Sequence, residues 1–248
     1  MKNTAAIVLA AGKGKRMKSD LPKVLHEIMG KPMVRHVIDT LKAININKIV
    51  VVVGHKAELV KEELADYGPN LQFVLQAEQL GTGHAVMVTE DALKTFEGNI
   101  VVLAGDVPFL TPETAKKLID LHEKEGAAAT VLSAKPDDAT GYGRIIRKDD
   151  TNLVDYIVEH KDASDEERKV NEINSGTFCF DSRYLFESLK EIRSENSQNE
   201  YYLTDIMAIL RRKGLKAAVS LTDDSDEVLG VNSVEQKEAL EAKFSGKR

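Results

Sequence analysis

The stretch LAAGKGKRMKSDLPKVLH, Leu9 to His26, follows an apolar run at Ala5–Ile7–Val8 and crowds Lys13, Lys15, Arg16, Lys18 and Lys23 around two glycines. Like charges held together repel, so the pattern calls for an anion among them. Gly12 and Gly14 lack a Cβ, which lets the backbone turn sharply and bring its N–H groups against such an anion. The bland alternative is a strand–helix turn with a solvated basic face. Two familiar phosphate motifs do not fit. A dinucleotide fingerprint needs a third glycine where Met17 stands, and GKGKRMKS lacks the Gly-Lys-Ser/Thr of a Walker loop. HEIMG (26–30) begins like a zinc-protease helix but has no second histidine, and the six histidines show no other ligand spacing.

Other segments carry groups suited to a nucleotide and a sugar. In QAEQLGTGHA (76–85) the Gln76 amide offers both a donor and an acceptor to a nucleobase edge. Gly81–Thr82–Gly83 would admit a base or ribose closely, the alternative being a loop with Thr82 as helix N-cap. LAGDVP (103–108) puts Asp106 at the end of an apolar strand, where a carboxylate is costly unless hydrated, paired or bound to a cation. Magnesium takes carboxylate, water and phosphate oxygens, which suits one Asp facing a polyphosphate. The alternative is an Asp that caps the next turn. GYGR, VEHKDA and EINSG supply a glycine, a carboxylate and an amide for sugar hydroxyls, each weak alone.

These groups need a frame, and the chain of 248 residues is long enough for one large α/β domain. Continuous apolar runs at 5–10, 48–54, 71–76 and 99–106 read as buried strands. Helical spacing falls between them at 33–44, 57–67 and 84–96, giving a parallel sheet with helices on both faces. Thr111, Pro112 and Gly126 bracket a helix as N-cap, first residue and stop. Then come a strand at 127–135, a hairpin at 141–160 turning at DDTN, and a polar, exposed excursion at 161–170. A strand at 171–181, helices at 184–192 and 202–214, a strand at 216–222 and a helix with a polar end at 233–248 complete the pass. No repeat or linker interrupts it, so the chain reads as a single domain.

Eight of the 34 Lys/Arg but only two of the 40 Asp/Glu lie in the first 35 residues, while the whole chain carries a net charge of −6. One basic segment on an acidic protein argues for a local anion site and against non-specific nucleic-acid binding. The single Cys179 excludes an intrachain disulfide and a cysteine-based zinc site, and points to a reducing compartment. The longest strongly apolar run beyond the first strand, Ile49–Val53, is far below membrane-spanning length. A cytoplasmic, soluble protein without a membrane partner is expected.

Taken together, the motifs resemble those of bacterial sugar-nucleotide pyrophosphorylases, and most nearly the uridylyltransferase domains that make UDP-N-acetylglucosamine. LAAGKGKRM…LPKVLH, QAEQLGTGHA, GDVP, GYGRI, VEHKDA, EINSG, EYYLTDI and GVNS stand in that family's order and approximate spacing, from about Thr4 to about Phe244. The resemblance implies a Rossmann-like mixed, mostly parallel sheet flanked by helices, with a smaller β-rich sugar-side lobe. Residues 1–110 would form the nucleotide half and 111–232 the sugar half. Leu9, Ala10, Ala11, Gly12 and Gly14 would line the nucleotide, with Gln76, Gly81 and Thr82 at the uracil. Arg16 and Lys23 would be the catalytic, phosphate-contacting pair. Asp106 and Asn232 would hold magnesium, while Gly141, Glu159, Asn174 and Asn232 would hold the amino sugar.

The implied substrates are UTP and N-acetylglucosamine 1-phosphate, with pyrophosphate as co-product. The sequence departs from the family at Gly14–Lys15–Arg16, where Gly-Thr-Arg is usual, and it carries no hexapeptide repeats of the β-helical acetyltransferase found in bifunctional members. Three rivals remain: a nucleotidyltransferase for another base or sugar, a glycosyltransferase, and a nucleotide sensor without catalysis. The second would favour an Asp-x-Asp at a strand end, whereas Asp224–Ser225–Asp226 falls late in a loop.

Overall fold

The computed structural model describes residues 2–17, 19–149 and 151–245, Lys15 through its backbone only. Expectations resting on Lys18, on Asp150 in the hairpin turn, and on the Lys15 side chain lie outside the described residues. Strand β1 (Thr4–Ala10) leads through the basic loop and its 3-10 turns at Lys15–Met17 and Lys23–Leu25. A small hairpin, β2 (Glu27–Ile28) and β3 (Lys31–Pro32), and helix α1 (Met33–Ala43) follow. Next come β4 (Lys48–Val53), α2 (Ala57–Glu63), β5 (Leu71–Leu75), α3 (Thr82–Met87), α4 (Glu90–Leu93) and β6 (Asn99–Ala104). The second half holds α5 (Pro112–Glu125), β7 (Ala129–Ala134), β8 (Arg144–Arg147), β9 (Val154–Val158), α6 (Asp165–Arg168) and β10 (Ile173–Asp181). It ends with α7 (Ser182–Leu189), α8 (Asp205–Arg212), β11 (Ala217–Leu221) and α9 (Val234–Ser245).

The main sheet runs β11-β7-β10-β6-β1-β4-β5, and β8 and β9 extend from β10 as an antiparallel ribbon. Successive β1 residues alternate between two cores, Ala5 and Ile7 on one face, Ala6, Val8 and Ala10 on the other. Burial on both faces is what a continuous apolar strand requires. Leu9 lies opposite both Val52 and Ala104 in parallel register, so the loops after β1, β4 and β6 leave one edge together. In such sheets that edge is where ligands bind.

As the resemblance implies, the sheet is mixed and mostly parallel: β1 pairs in parallel with β4 and β6, β4 with β5 and β7 with β11, while β10 runs antiparallel to both β6 and β7. An apolar run gives burial but not direction, so the parallel sheet read from the runs alone misses the reversal at β10. Several helix boundaries also differ from expectation. The helix expected over 84–96 is broken: Thr89 is fully buried and its N–H and hydroxyl both turn back to the Val86 carbonyl, at 3.0 and 2.7 Å, which ends α3. The helix expected over 57–67 gives way after Glu63 to a 3-10 turn at Ala65–Tyr67. The helix expected from 202 starts at Asp205. The excursion at 161–170 contains α6, started by a capping box between Ser164 and Glu167. The caps of α5 are as expected: Thr111 accepts from the Thr114 N–H at 3.2 Å and Gly126 is left-handed.

Candidate functional site

Four polar side chains from three distant segments meet beyond the end of β1. Lys23 donates from Nζ to Asp106 Oδ2 and, at 2.7 Å, to Asn232 Oδ1. Arg16 Nη2 donates to the same Asn232 oxygen at 3.0 Å. Gly14 makes this possible: it is left-handed (φ +61°), and a Cβ there would stand 2.6 Å from Lys23 Cβ. The other loop glycine, Gly12, has nothing within 4 Å of where its Cβ would be, so the fold itself makes no demand for it. Asp106 is held from behind, its carbonyl accepting from the Val231 N–H at 3.0 Å, which ties the Asp106 and Asn232 segments together.

Asp106 and Asn232 present two hard oxygens to the Lys23 ammonium, and the Asn232 oxygen also faces the Arg16 guanidinium. That donor set, with phosphate oxygens added, fits a divalent ion such as magnesium. Among the described residues, no group of three or more His, Cys, Asp or Glu is placed to hold a metal. The Asp224–Ser225–Asp226 segment is otherwise engaged, Asp224 capping a 3-10 turn and Asp226 pairing with Lys243 at 2.6 Å.

Beside this centre lies a cavity of about 310 Å³ lined by Leu9, Ala11, Gly12, Lys23, Gln76, Gly81, Thr82 and Asp106 among others. Ala10 does not line it but packs its side chain into the core, and Gly14 sits behind Lys23. Gln76 is 3% exposed, and its Nε2 donates to the Gly81 carbonyl at 3.1 Å with His84 Nδ1 at 3.2 Å. A carbonyl only accepts, so the contact to Gly81 fixes which end of the amide is the nitrogen, and that nitrogen also faces His84 Nδ1. The Oε1 atom takes part in neither contact.

The glycines at 81 and 83 do not serve only a ligand. Cβ atoms there would stand 2.6 and 2.9 Å from the Tyr201 carbonyl, which accepts the Gly83 N–H at 2.7 Å. Thr82 is no side-chain N-cap: its hydroxyl accepts from the Leu203 N–H at 3.1 Å. The same segment brings Glu200 into the cavity's lining, along with Gln79 and Val24. Sequence reasoning singled out none of those three, although Glu200 opens the EYYLTDI motif and Gln79 lies within QAEQLGTGHA.

Gly141, Glu159 and Asn174 lie outside this cavity's lining and gather around Gly143, another residue that was missed. The Gly143 carbonyl accepts from Asn174 N–H at 2.9 Å, and Glu159 Oε2 lies 3.3 Å from where a Gly143 Cβ would be. Gly141, left-handed at φ +84°, opens the same loop. An ion pair fixes β8 to β10 here: Arg147 grips buried Glu172 through two bonds of 2.7 Å, and Ser133 adds a third at 2.5 Å. Burial pushes the Glu159 carboxyl up, against the Thr204 hydroxyl at 3.0 Å that lowers it, with Asp205, Asp162 and Glu200 adding to the rise.

Asp205 is pushed up to about 6, first by burial and then by Asp162. A carboxyl whose folded pKa is raised favours the fold while protonated, and that contribution is lost as pH rises through about 6. Asp205→Asn is therefore expected to raise Tm at pH 8 by about 2–4 °C, the shift that ~1 kcal/mol produces in a domain of this size. The gain should shrink below pH 6 and vanish below about 4, where the carboxyl is neutral in both states. Thermal melts of both proteins across pH check this, and a difference independent of pH would contradict it.

The chain is 53% identical over 232 residues to the "Bifunctional protein GlmU" of Enterococcus faecalis, covering 94% of this chain and 50% of that protein. The protein of the same name from Oceanobacillus iheyensis is 50% identical over the same length and shares. This chain thus spans about half the length of the curated relatives it matches. A UDP-glucose pyrophosphorylase complexed with UDP-glucose superposes with a TM-score of 0.79 at 19% identity, covering 100% of both chains. The inositol-1-phosphate CTP transferase from T. maritima gives 0.75 at 21%, covering 98% of this chain and 96% of its own. At such identities these two speak for the fold, which is that of nucleotidyltransferases. Among the described residues no helix is long and apolar enough to cross a membrane. Residues 6–212 match the family described as the MobA-like NTP transferase domain, and the chain belongs to that family.

Proposed function

We propose that this chain transfers a uridylyl group from UTP to N-acetylglucosamine 1-phosphate, releasing pyrophosphate and giving UDP-N-acetylglucosamine. The observation that carries this reading is the convergence of Arg16, Lys23, Asp106 and Asn232 beside a cavity whose far wall holds Gln76. Residues 1–110 supply most of the nucleotide side, and the Gly141, Glu159 and Asn174 cluster in 111–232 faces the amino sugar. The nucleophile, a sugar-phosphate oxygen, is already ionised near neutrality. No base is needed, and rate comes from alignment and charge neutralisation. The phosphate oxygen attacks the α-phosphorus in line as the bond to pyrophosphate breaks. Lys23 and Arg16 bind the phosphate oxygens on which charge builds. Asp106 and Asn232 would hold magnesium, which when bound neutralises the triphosphate. The lone, buried Cys179 suits a cytoplasmic setting.

Gln76 bears on the choice of base. With its amide nitrogen engaged, Oε1 accepts from the N3–H of uracil, whereas cytosine offers an acceptor at N3 and would leave two acceptors facing each other. CTP is expected to have a kcat/KM at least about 10²-fold below that of UTP, the scale of a lost hydrogen bond plus an unpaired buried group. The test of the whole reading is a panel of nucleoside triphosphates against sugar 1-phosphates with magnesium, read by pyrophosphate. Pyrophosphate from UTP with N-acetylglucosamine 1-phosphate supports it. Binding of UTP without pyrophosphate from any pair would make the chain a sensor instead.

A further inference from the structure

The segments that carry Arg16, Asp106 and Asn232 share more than their polar ends. Each inserts a nearby residue into one small apolar cluster, separate from the two cores of the sheet: Met17, Phe109 and Val231. Helix α9 closes that cluster with Leu240, which is buried, and Phe244, whose ring stacks on Phe109 at 3.8 Å and 5°. The helix is pinned by polar contacts as well. Glu241 Oε1 accepts from the Met29 N–H at 3.0 Å, Lys243 pairs with Asp226 at 2.6 Å, and Gln236 Oε1 accepts from the N–H of Asn232 itself at 2.8 Å. A twelve-residue helix with one buried residue is too short to persist alone, so docking is what holds it.

We propose that α9 is a positioning element for the phosphate and metal centre, with Leu240 and Phe244 as its positioning residues. The cluster works as a hub. Together with the Val231 N–H bond to the Asp106 carbonyl, it sets the spacing between Arg16, Asp106 and Asn232, none of which lies in a strand of the main sheet. Loosening the hub lets the three side chains drift apart while the part of the cavity lined by Leu9, Gln76, Thr82 and Ala85 keeps its shape. This inference rests on the uridylyltransferase reading for its kinetic arm only.

The test compares Phe244→Ala and Leu240→Ala with the conservative Phe244→Leu. Four quantities are read: kcat for pyrophosphate release, KM for UTP, Mn²⁺ affinity of the UDP-saturated protein by electron paramagnetic resonance, and UDP affinity without metal by calorimetry. A sub-ångström to ångström misplacement at a reacting centre costs up to about 10²-fold. Each alanine variant is therefore expected to lose about tenfold or more in kcat and to bind Mn²⁺ more weakly. KM for UTP should stay within about twofold, and Phe244→Leu should recover most of both losses. Unchanged kcat and Mn²⁺ affinity would overturn the proposal, making α9 a passenger. Equal losses in Mn²⁺ and metal-free UDP affinity would also overturn it, because the whole site would then be disturbed. If the unaltered chain released no pyrophosphate from any pair, the proposed function would fall. The Mn²⁺ comparison would then decide alone, weaker binding supporting the hub and equal binding, or none in either protein, refuting it.

Discussion

Lys23→Met is expected to lower kcat for pyrophosphate release by about 10²–10³-fold, the usual cost of one electrostatic contact made to a transition state. The same change should tighten Mn²⁺ binding to the free protein by about tenfold. The two effects have opposite signs because Lys23 has two tasks. Without nucleotide its ammonium is the cation shared by Asp106 and Asn232, with side chains only 13% and 20% exposed for the Lys23–Asp106 pair. A metal ion must displace that ammonium toward the phosphates. Two unit charges 4 Å apart interact by about 4 kcal/mol at an effective dielectric of 20, so a tenfold gain asks for only a third of that repulsion to be relieved. Methionine keeps the apolar stem and removes the charge. Mn²⁺ titration followed by electron paramagnetic resonance measures the second effect and a pyrophosphate assay the first. Weaker metal binding in the variant would show that Lys23 organises the oxygens rather than competing for them.

Arg16→Ala should cost a similar factor in kcat at saturating substrates, again about 10²–10³. Arg16 is exposed, its guanidinium donates to Asn232 at 3.0 Å, and it belongs to neither sheet core, so its removal leaves both cores untouched and the circular dichroism spectrum should not change. The expected signature is a fall in kcat and kcat/KM together, which marks an interaction made in the transition state. A raised KM with unchanged kcat would reduce Arg16 to a binding residue.

The parts of the fold that local sequence dictates were readable in advance. Strand β1 is apolar without interruption because both its faces are covered, and α5 is bounded by a threonine cap, a proline and a left-handed glycine. The basic loop brings Lys23 and Arg16 to an acidic group and an amide oxygen at the end of that strand. What stayed hidden depends on contacts between distant segments. Nothing in IVVLA or FCF says that β10 runs opposite to β6. Gly81 and Gly83 looked like room for a ligand, yet the backbone at Tyr201 comes as close to them. Gly143 escaped notice because its role is to sit beneath Glu159 and Asn174, which lie 16 and 31 residues further along the chain. The apolar cluster beside the Asp106 and Asn232 segments joins residues from 17 to 244, so no window of sequence contains it.

The triphosphate is expected to lie at the mouth of β1. A crystal structure with UTP and magnesium examines that directly. The expected result is uracil N3–H on Gln76 Oε1, phosphates spanning Gly12 to Lys23 and Arg16, and the ammonium of Lys23 moved off Asp106 and Asn232 onto phosphate oxygen. Phosphates bound elsewhere, with the Lys23–Asp106–Asn232 contact still closed, would contradict it.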